Sequence, residues 1–416
     1  MQRLKRFQFL NTDRKLPHYR LRLGLAAVHS LFLLGLTIVL QYSAFVRSDE
    51  LGFLKWSAIW KHQLLGWDPK PDENRIVFID VAKDLALTTD TTYGAPAPNL
   101  NGAVSVITDR SKLAVLFDTL SRHPGQYQFA MCDILFDNPD TADHALRGPI
   151  ERTGQLLCSA VYDKRMLRPV FNVQSAVVNY QAIDGSKFAK LDIFYRDSLK
   201  TFPAELYERL SGNRFRKKDG IVLLNGRPTF NTVIPEFYYR SEDLHYNAAG
   251  QHHVNAYYLG RLLLLPGFFE ALRGKLIVIG DFSARDTHPT YSGSMPGPLI
   301  LLDTYLTLAH QPITISVGWC LLLLVFYGCV SYWMIFHPDR KIKALHDQVS
   351  ARIKVPLLSK FIIKYLSFIG LLILINLVSY IHFGTFISLY YIATYLTFIQ
   401  LLIDKWPQWR AWIKRI

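Results

Sequence analysis

The chain has 416 residues, half of them hydrophobic, and a formal net charge of +14. So much apolar side chain excludes an intrinsically disordered polymer, and four cysteines in this length exclude a disulfide-built miniprotein. A basic balance raises nucleic-acid binding, but the excess sits in stretches that flank hydrophobic runs. The segment between the first and second runs is neutral overall, so the charge reads as topology and lipid contact, with no nucleic acid.

Residues 1–22 carry seven Lys and Arg against Asp13 alone. Leu23 to Tyr42 then holds twenty residues without Asp, Glu, Lys or Arg, enough to cross a hydrocarbon core of about 30 Å. The run exceeds the roughly 7–15 apolar residues of a cleaved signal, and Ser43-Ala44-Phe45 offers no small-x-small site, so an uncleaved anchor is expected.

Residues 43–311 show a strand and helix alternation long enough to bury a core of their own. Arg75 to Val81 (RIVFIDV) predicts a buried parallel strand. Thr108-Asp109 offers an N-cap for a helix through Leu113, Leu116, Phe117 and Leu120 that stops before Pro124. Gln128 to Phe136 reads as a strand, Thr141 to Thr153 as a helix and Gln155 to Tyr162 as a third strand, the βαβ pattern of a mostly parallel sheet. The alternation is lost from about Tyr180 to Phe269, where only a helix at Phe202 to Leu210 and a strand at Gly220 to Leu224 suggest themselves. It returns at Gly274 to Gly280 (GKLIVIG) and in a helix, Leu299 to Leu308.

Three further runs follow, at 312–336, 361–381 and 384–403, the last two read as a hairpin turning at His382-Phe383. Between them the basic stretch 337–360 places Ile342, Leu345, Val349 and Ile353 at helical spacing before Pro356, the pattern of an amphipathic surface helix or a docking segment for a partner. Residues 404–416 form a basic tail. Loops rich in Lys and Arg stay cytoplasmic, so four spans place both termini and the 337–360 loop in the cytoplasm and residues 43–311 outside. Asn376, isolated in the third span, is expected to bond a neighbouring helix. With no acidic residue inside a span, transport is disfavoured.

The chemistry-bearing residues gather at predicted strand ends. Asp80, Asp133 and Asp281 end or nearly end strands, and in open α/β sheets ligands bind beyond the carboxyl ends. Asp137, Arg285, Asp286, His288 and Thr290 lie near them in sequence, a set that could line a small-molecule or cation pocket or simply cap helices and close turns. No nucleophile elbow, triad order or phosphate loop is present, so neither catalysis nor a cofactor is expected. Asp243, His245, His252 and His253 have ligand-like spacing, although His pairs without Cys are common on surfaces and no metal is expected. Cys132 and Cys158, in predicted core strands, could form a disulfide outside the cytoplasm or remain buried thiols.

Three stretches carry a likeness to a known family. RIVFIDV at 75–81, Cys132 to Leu146 (CDILFDNPDTADHAL) and Gly274 to Pro298 (GKLIVIGDFSARDTHPTYSGSMPGP) resemble the signatures of CHASE2, a sensory domain of bacterial membrane receptors. The resemblance implies an α/β extracytoplasmic domain, one helix before it, three after it, and a bacterial inner-membrane location. It also implies a cytoplasmic output domain, for which the thirteen residues after Ile403 are too few, so a separate effector chain is expected. A homodimer is a further expectation of the resemblance. One departure stands in the helix after Met295-Pro296-Gly297, where Leu301-Leu302-Asp303 replaces the family's small residue and Asn. The reading is a receptor for an unknown outer ligand, and its rival is a scaffold subunit that has lost sensing.

Overall fold

The computed structural model describes residues 16–42, 51–66, 71–89, 104–137, 139–163, 165–179, 188, 190–196, 198–247, 254–311, 313–336 and 356–413. The chain divides into two compact units, Arg47–Thr314 and the combination of Met1–Val46 with Ile315–Ile416. Among the described residues the helices are α1 (Leu16–Tyr42), α2 (Leu51–Ile59), α3 (Arg110–Arg122), α4 (Asp143–Arg152), α5 (Phe202–Ser211), α6 (Leu259–Leu263), α7 (Gly297–His310), α8 (Val317–Phe336), α9 (Pro356–Phe383) and α10 (Leu389–Ile413).

The larger unit is built on one sheet: β1 (Ile76–Asp80), β2 (Phe129–Asp133), β3 (Leu156–Asp163), β4 (Arg165–Leu167), β5 (Ser175–Val177), β6 (Ala256–Tyr258) and β7 (Leu276–Gly280). In space the order is β6, β1, β7, β2, β3, β5, all parallel, with β4 folding back antiparallel on the end of β3. Strand residues alternate between two apolar layers. Ile76, Phe78, Phe129, Met131, Leu276 and Val278 face α5 and α7, while Val77, Ile79, Ala130, Cys132, Ile277 and Ile279 face α3, α4 and α6. Both faces are therefore covered, which is why these strands read as unbroken apolar runs.

Local chemistry sets the helix ends. Asp109 accepts from the Ser111 and Lys112 amides at the start of α3, the cap expected from the sequence, and α3 stops at Arg122, ahead of Pro124. Gly212 adopts φ 74° to close α5, a conformation that costs glycine nothing. The expected strand at Gln128 to Phe136 pairs only from Phe129 to Asp133, and β6, Ala256–Tyr258, lies within the stretch where the alternation is lost.

In the smaller unit, α1, α8 and α9 each contain a run long and apolar enough to cross a membrane: Arg20–Tyr42, Val317–Ile335 and Lys364–Phe383. The apolar part of α10, Leu389–Ile403, is shorter. Two expected boundaries move. α9 begins at Pro356, ahead of the expected start at Phe361, in keeping with proline's fit to a first helical turn. The turn between α9 and α10 falls at 384–388, after His382-Phe383, where Gly384 has φ 61°. Asn376 serves that turn, its Oδ1 accepting from the Ile387 amide at 2.8 Å. The segment carrying Ile342 to Ile353 lies outside the described residues.

Candidate functional site

The carboxyl edge of the sheet brings together Asp80, Gly280 and Asp133, which are register partners across β1, β7 and β2. β7 is the last strand of this sheet in sequence yet lies between its first two, so chain connections leave this edge in different directions and open a crevice. Gly280 has no room for a side chain, because a Cβ there would strike the Pro298 ring at the start of α7. The first turn of α7 is thereby seated directly over the strand ends.

Two cavities open at this edge, and Asp133 and Asp286 line both. One, of about 280 Å³, has an apolar wall of Val161, Val178, Phe188, Leu191, Ile300 and Leu301 and a polar end of Asp133, Asp286, His288 and Asn179. The other, of about 360 Å³, adds Arg110, Asp281, Arg285, Phe136 and Thr108. Gly297 separates the two acids: a Cβ there would stand 2.8 Å from Asp286 Oδ2 and 3.3 Å from Asp133 Oδ2.

Asp133 is the chemically distinctive member. Ser159 Oγ donates to its Oδ1 at 2.6 Å, while Oδ2 turns toward Gly297. Desolvation raises its pKa to about 6; Asp286 adds to the rise, and the Ser159 hydrogen bond and His288 oppose it. His288 Nε2 lies 3.3 Å from Asp286 Oδ1. The bond to Asp286 holds the imidazole pKa above its ordinary value despite partial burial, and Asp133 contributes to the same rise. The edge therefore gathers two acids and an imidazole around the start of α7.

The other expected residues are placed differently. Asp80 is buried and committed, with Oδ2 accepting from Tyr246 Oη at 2.6 Å and Oδ1 from the Ala82 amide at 2.8 Å and the Phe282 amide at 3.4 Å. Asp281 pairs with Arg285 at 2.9 Å, and Arg285 also donates to the Ala82 carbonyl at 2.6 Å, so both border the larger cavity as a loop clamp. Asp137 is half-buried and lines neither cavity. Thr290 is a turn residue: its Oγ1 donates to the Gly293 carbonyl at 2.7 Å and accepts from the Ser292 amide at 3.0 Å.

Sequence reasoning missed Ser159, Asn179, Gly297 and the apolar wall. Only the alternation of Leu157, Ser159 and Val161 along β3 could have hinted that Ser159 neighbours Asp133. Asn179 locks backbone, accepting from the Tyr162 amide and donating to the Tyr162 carbonyl at 3.1 Å.

Cys132 and Cys158 are register partners on β2 and β3 and are free, buried thiols, not a disulfide. Burial, and then Cys158, push the Cys132 thiol well above its ordinary value, the opposite of a reactive cysteine. His252 and His253 lie outside the described residues, among which no three His, Cys, Asp or Glu side chains could hold a metal ion. His245 and Asp243 instead shape a loop, the His245 amide donating to Asn255 Oδ1 and Asp243 Oδ2 accepting from the Arg240 amide. Comparison with family models, curated proteins and solved structures finds no match.

Asp303, the departure in α7, is fully buried, and its Oδ1 accepts from the Tyr239 amide at 3.1 Å. It points into the packing of α7, whereas Ile300 and Leu301 line the smaller cavity.

Proposed function

We propose that this protein is a membrane-anchored receptor whose α/β unit binds a small ligand in the crevice at Asp133 and Asp286. The observation that carries the reading is the 280 Å³ cavity, with apolar walls, two carboxylates and no Lys or Arg among its lining residues. That lining suits a small molecule with an apolar body and a positively charged or hydrogen-bond-donating group.

Position favours a signalling role. The cavity meets the first turn of α7, and the chain leaves α7 at His310 to enter the apolar helix α8 at Val317. Farther along α7, Thr307 Oγ1 accepts from the Glu236 amide at 2.8 Å, and Glu236 pairs with Lys61 at 3.0 Å in the turn that continues α2. Both chain connections of the unit are thus tied, by sequence or by hydrogen bond, to the helix that closes the cavity. Signalling requires that the ligand prefer one of two arrangements of α7.

The proposal includes the finer topology. Residues 43–311 stand outside a bacterial inner membrane, α10 supplies a fourth span through Leu389–Ile403, and both termini and the 337–360 loop face the cytoplasm. Charge distribution supports the orientation, and the CHASE2 resemblance supports the sensory role and the location. The effector is another protein that docks on the spans or on the basic loop.

One observation favours the rival scaffold reading: the Asp303 carboxylate holds the Tyr239 backbone instead of reaching the cavity. Thermal-shift screening of the full-length protein in nanodiscs with small amines separates the two. A receptor gives a ligand that raises Tm with the concentration dependence of mass action, and the gain is lost in Asp133→Ala. Silence across the library, together with stoichiometric envelope proteins that co-purify whether or not the 337–360 loop is neutralised, would establish the scaffold.

A further inference from the structure

The helix that follows α1 has one face buried against the α/β unit and a second, exposed face that is apolar. α2 continues through a π-turn, Trp60–Leu64, closed by the Leu65 amide on the Trp60 carbonyl at 3.1 Å. Leu54, Ser57 and Lys61 are buried, and the Lys61–Glu236 ion pair, at 3.0 Å, fixes this face to the α/β unit. The opposite side carries Trp56 (64% exposed), Trp60 (46%) and Leu64 (64%) at spacings of four, with Leu65 (46%) beside them.

A short surface helix gains nothing by holding two tryptophans in water, and those side chains favour the polar boundary of a bilayer, where the ring is half in hydrocarbon and the indole N–H stays wet. The tether points the same way. Only residues 43–50 separate Tyr42, the end of the apolar helix α1, from Leu51, a reach of at most about 30 Å for the extended chain. A protein partner fits less well, because four side chains on two turns fall short of the roughly 20–30 residues per side in a standard interface.

We propose that Trp56, Trp60, Leu64 and Leu65 seat α2 in the headgroup region of the bilayer on the side where the α/β unit stands. The helix then lies flat as an interfacial anchor, gripping lipid on one face and, through Lys61, the sensory unit on the other. This goes beyond ligand recognition and holds whether the crevice senses or not.

The test is tryptophan quenching of the full-length protein in nanodiscs, comparing wild type with Trp56→Phe/Trp60→Phe, which keeps the apolar bulk. The emission lost in the variant is the signal of the two residues. Phosphatidylcholine brominated near the glycerol end of its chains should quench that signal at least about twofold, and more strongly than aqueous iodide does. Quenching by iodide but not by bromolipid would overturn the proposal in favour of a solvated helix. Protection from both would overturn it in favour of a protein cover, such as a second copy of the chain. The single variants Trp56→Phe and Trp60→Phe give the same reading one residue at a time if the double variant is unstable.

Discussion

Asp80 and Asp133 stand at the same level of the sheet, each a register partner of Gly280. Their surroundings separate them. The β1 end is closed by Tyr246 and two backbone amides, so both Asp80 oxygens are used and the carboxylate ties together the loops that follow β1 and β7. The β2 end offers Asp133 one hydroxyl, a second acid and a cavity. A strand-end aspartate is a fastener where its neighbours supply donors; where they do not, as at Asp133, it is left facing a cavity, which is the role the proposed function gives it. The distinction lies in the residues opposite, not in the aspartate.

The sharpest way to break this contrast is Asp80→Ala, which strands the Tyr246 hydroxyl and buried amides. It should cost about 3 kcal/mol in denaturant unfolding of the α/β unit, and a loss no greater than that of a surface substitution would contradict the fastening role.

Asp133→Asn should act in the opposite direction. The folded-state pKa of about 6 exceeds the ordinary 3.8, so the stability associated with the protonated acid is complete below 3.8 and is lost as pH rises through about 6. Asparagine keeps the neutral form throughout. At pH 7 the variant should therefore be more stable than wild type by about 2 kcal/mol, and the two should converge below the ordinary carboxylate pKa. His288, whose pKa is also raised, loses its contribution in the same sense as pH climbs. Parallel melting curves across that range would remove Asp133 from the argument.

Smaller effects refine the comparison. Tyr246→Phe removes the hydrogen bond to the Asp80 side chain and should cost about 1.5 kcal/mol while leaving the cavity at Asp133 untouched in ligand titration. Gly297→Ala should cost only about 1 kcal/mol, since the Asp286 side chain can shift, yet it places a methyl between the two acids. Ligand binding measured by thermal shift should fall much more than stability does.

The sequence carried the sheet where its strands are buried on both faces. RIVFIDV, the start of QFAMCDILF and GKLIVIG all became parallel strands, and Asp109 announced α3 by its capping chemistry. Their spatial order was not legible, because the apolar pattern that marks a buried strand is the same whichever neighbour it takes. β6 escaped notice because Ala256, Tyr257 and Tyr258 are too few to display a period. At the site, Asp133 and Asp286 were legible as strand-end and loop acids. Their meeting across Gly297 was not, since it depends on α7 being drawn over the strand ends by the fit of Pro298 to Gly280. Thr290 and Asp137 were chosen by proximity in sequence, which a hairpin turn and a half-buried loop position do not honour.

The placement of β7 also governs how the molecule is made. The strand that fills the centre of the sheet is synthesised about two hundred residues after β1, a large sequence separation for a core contact and a source of slow folding. Until Leu276–Gly280 arrives, β1 and β2 each lack the neighbour they will share, and their edges remain open to wrong partners. Almost at once the chain then delivers α7 and the apolar helix α8. Closure of the sheet and entry of the second hydrophobic helix are thus neighbouring events in synthesis, so a protein stalled or truncated just before Leu276 would expose two apolar strand edges.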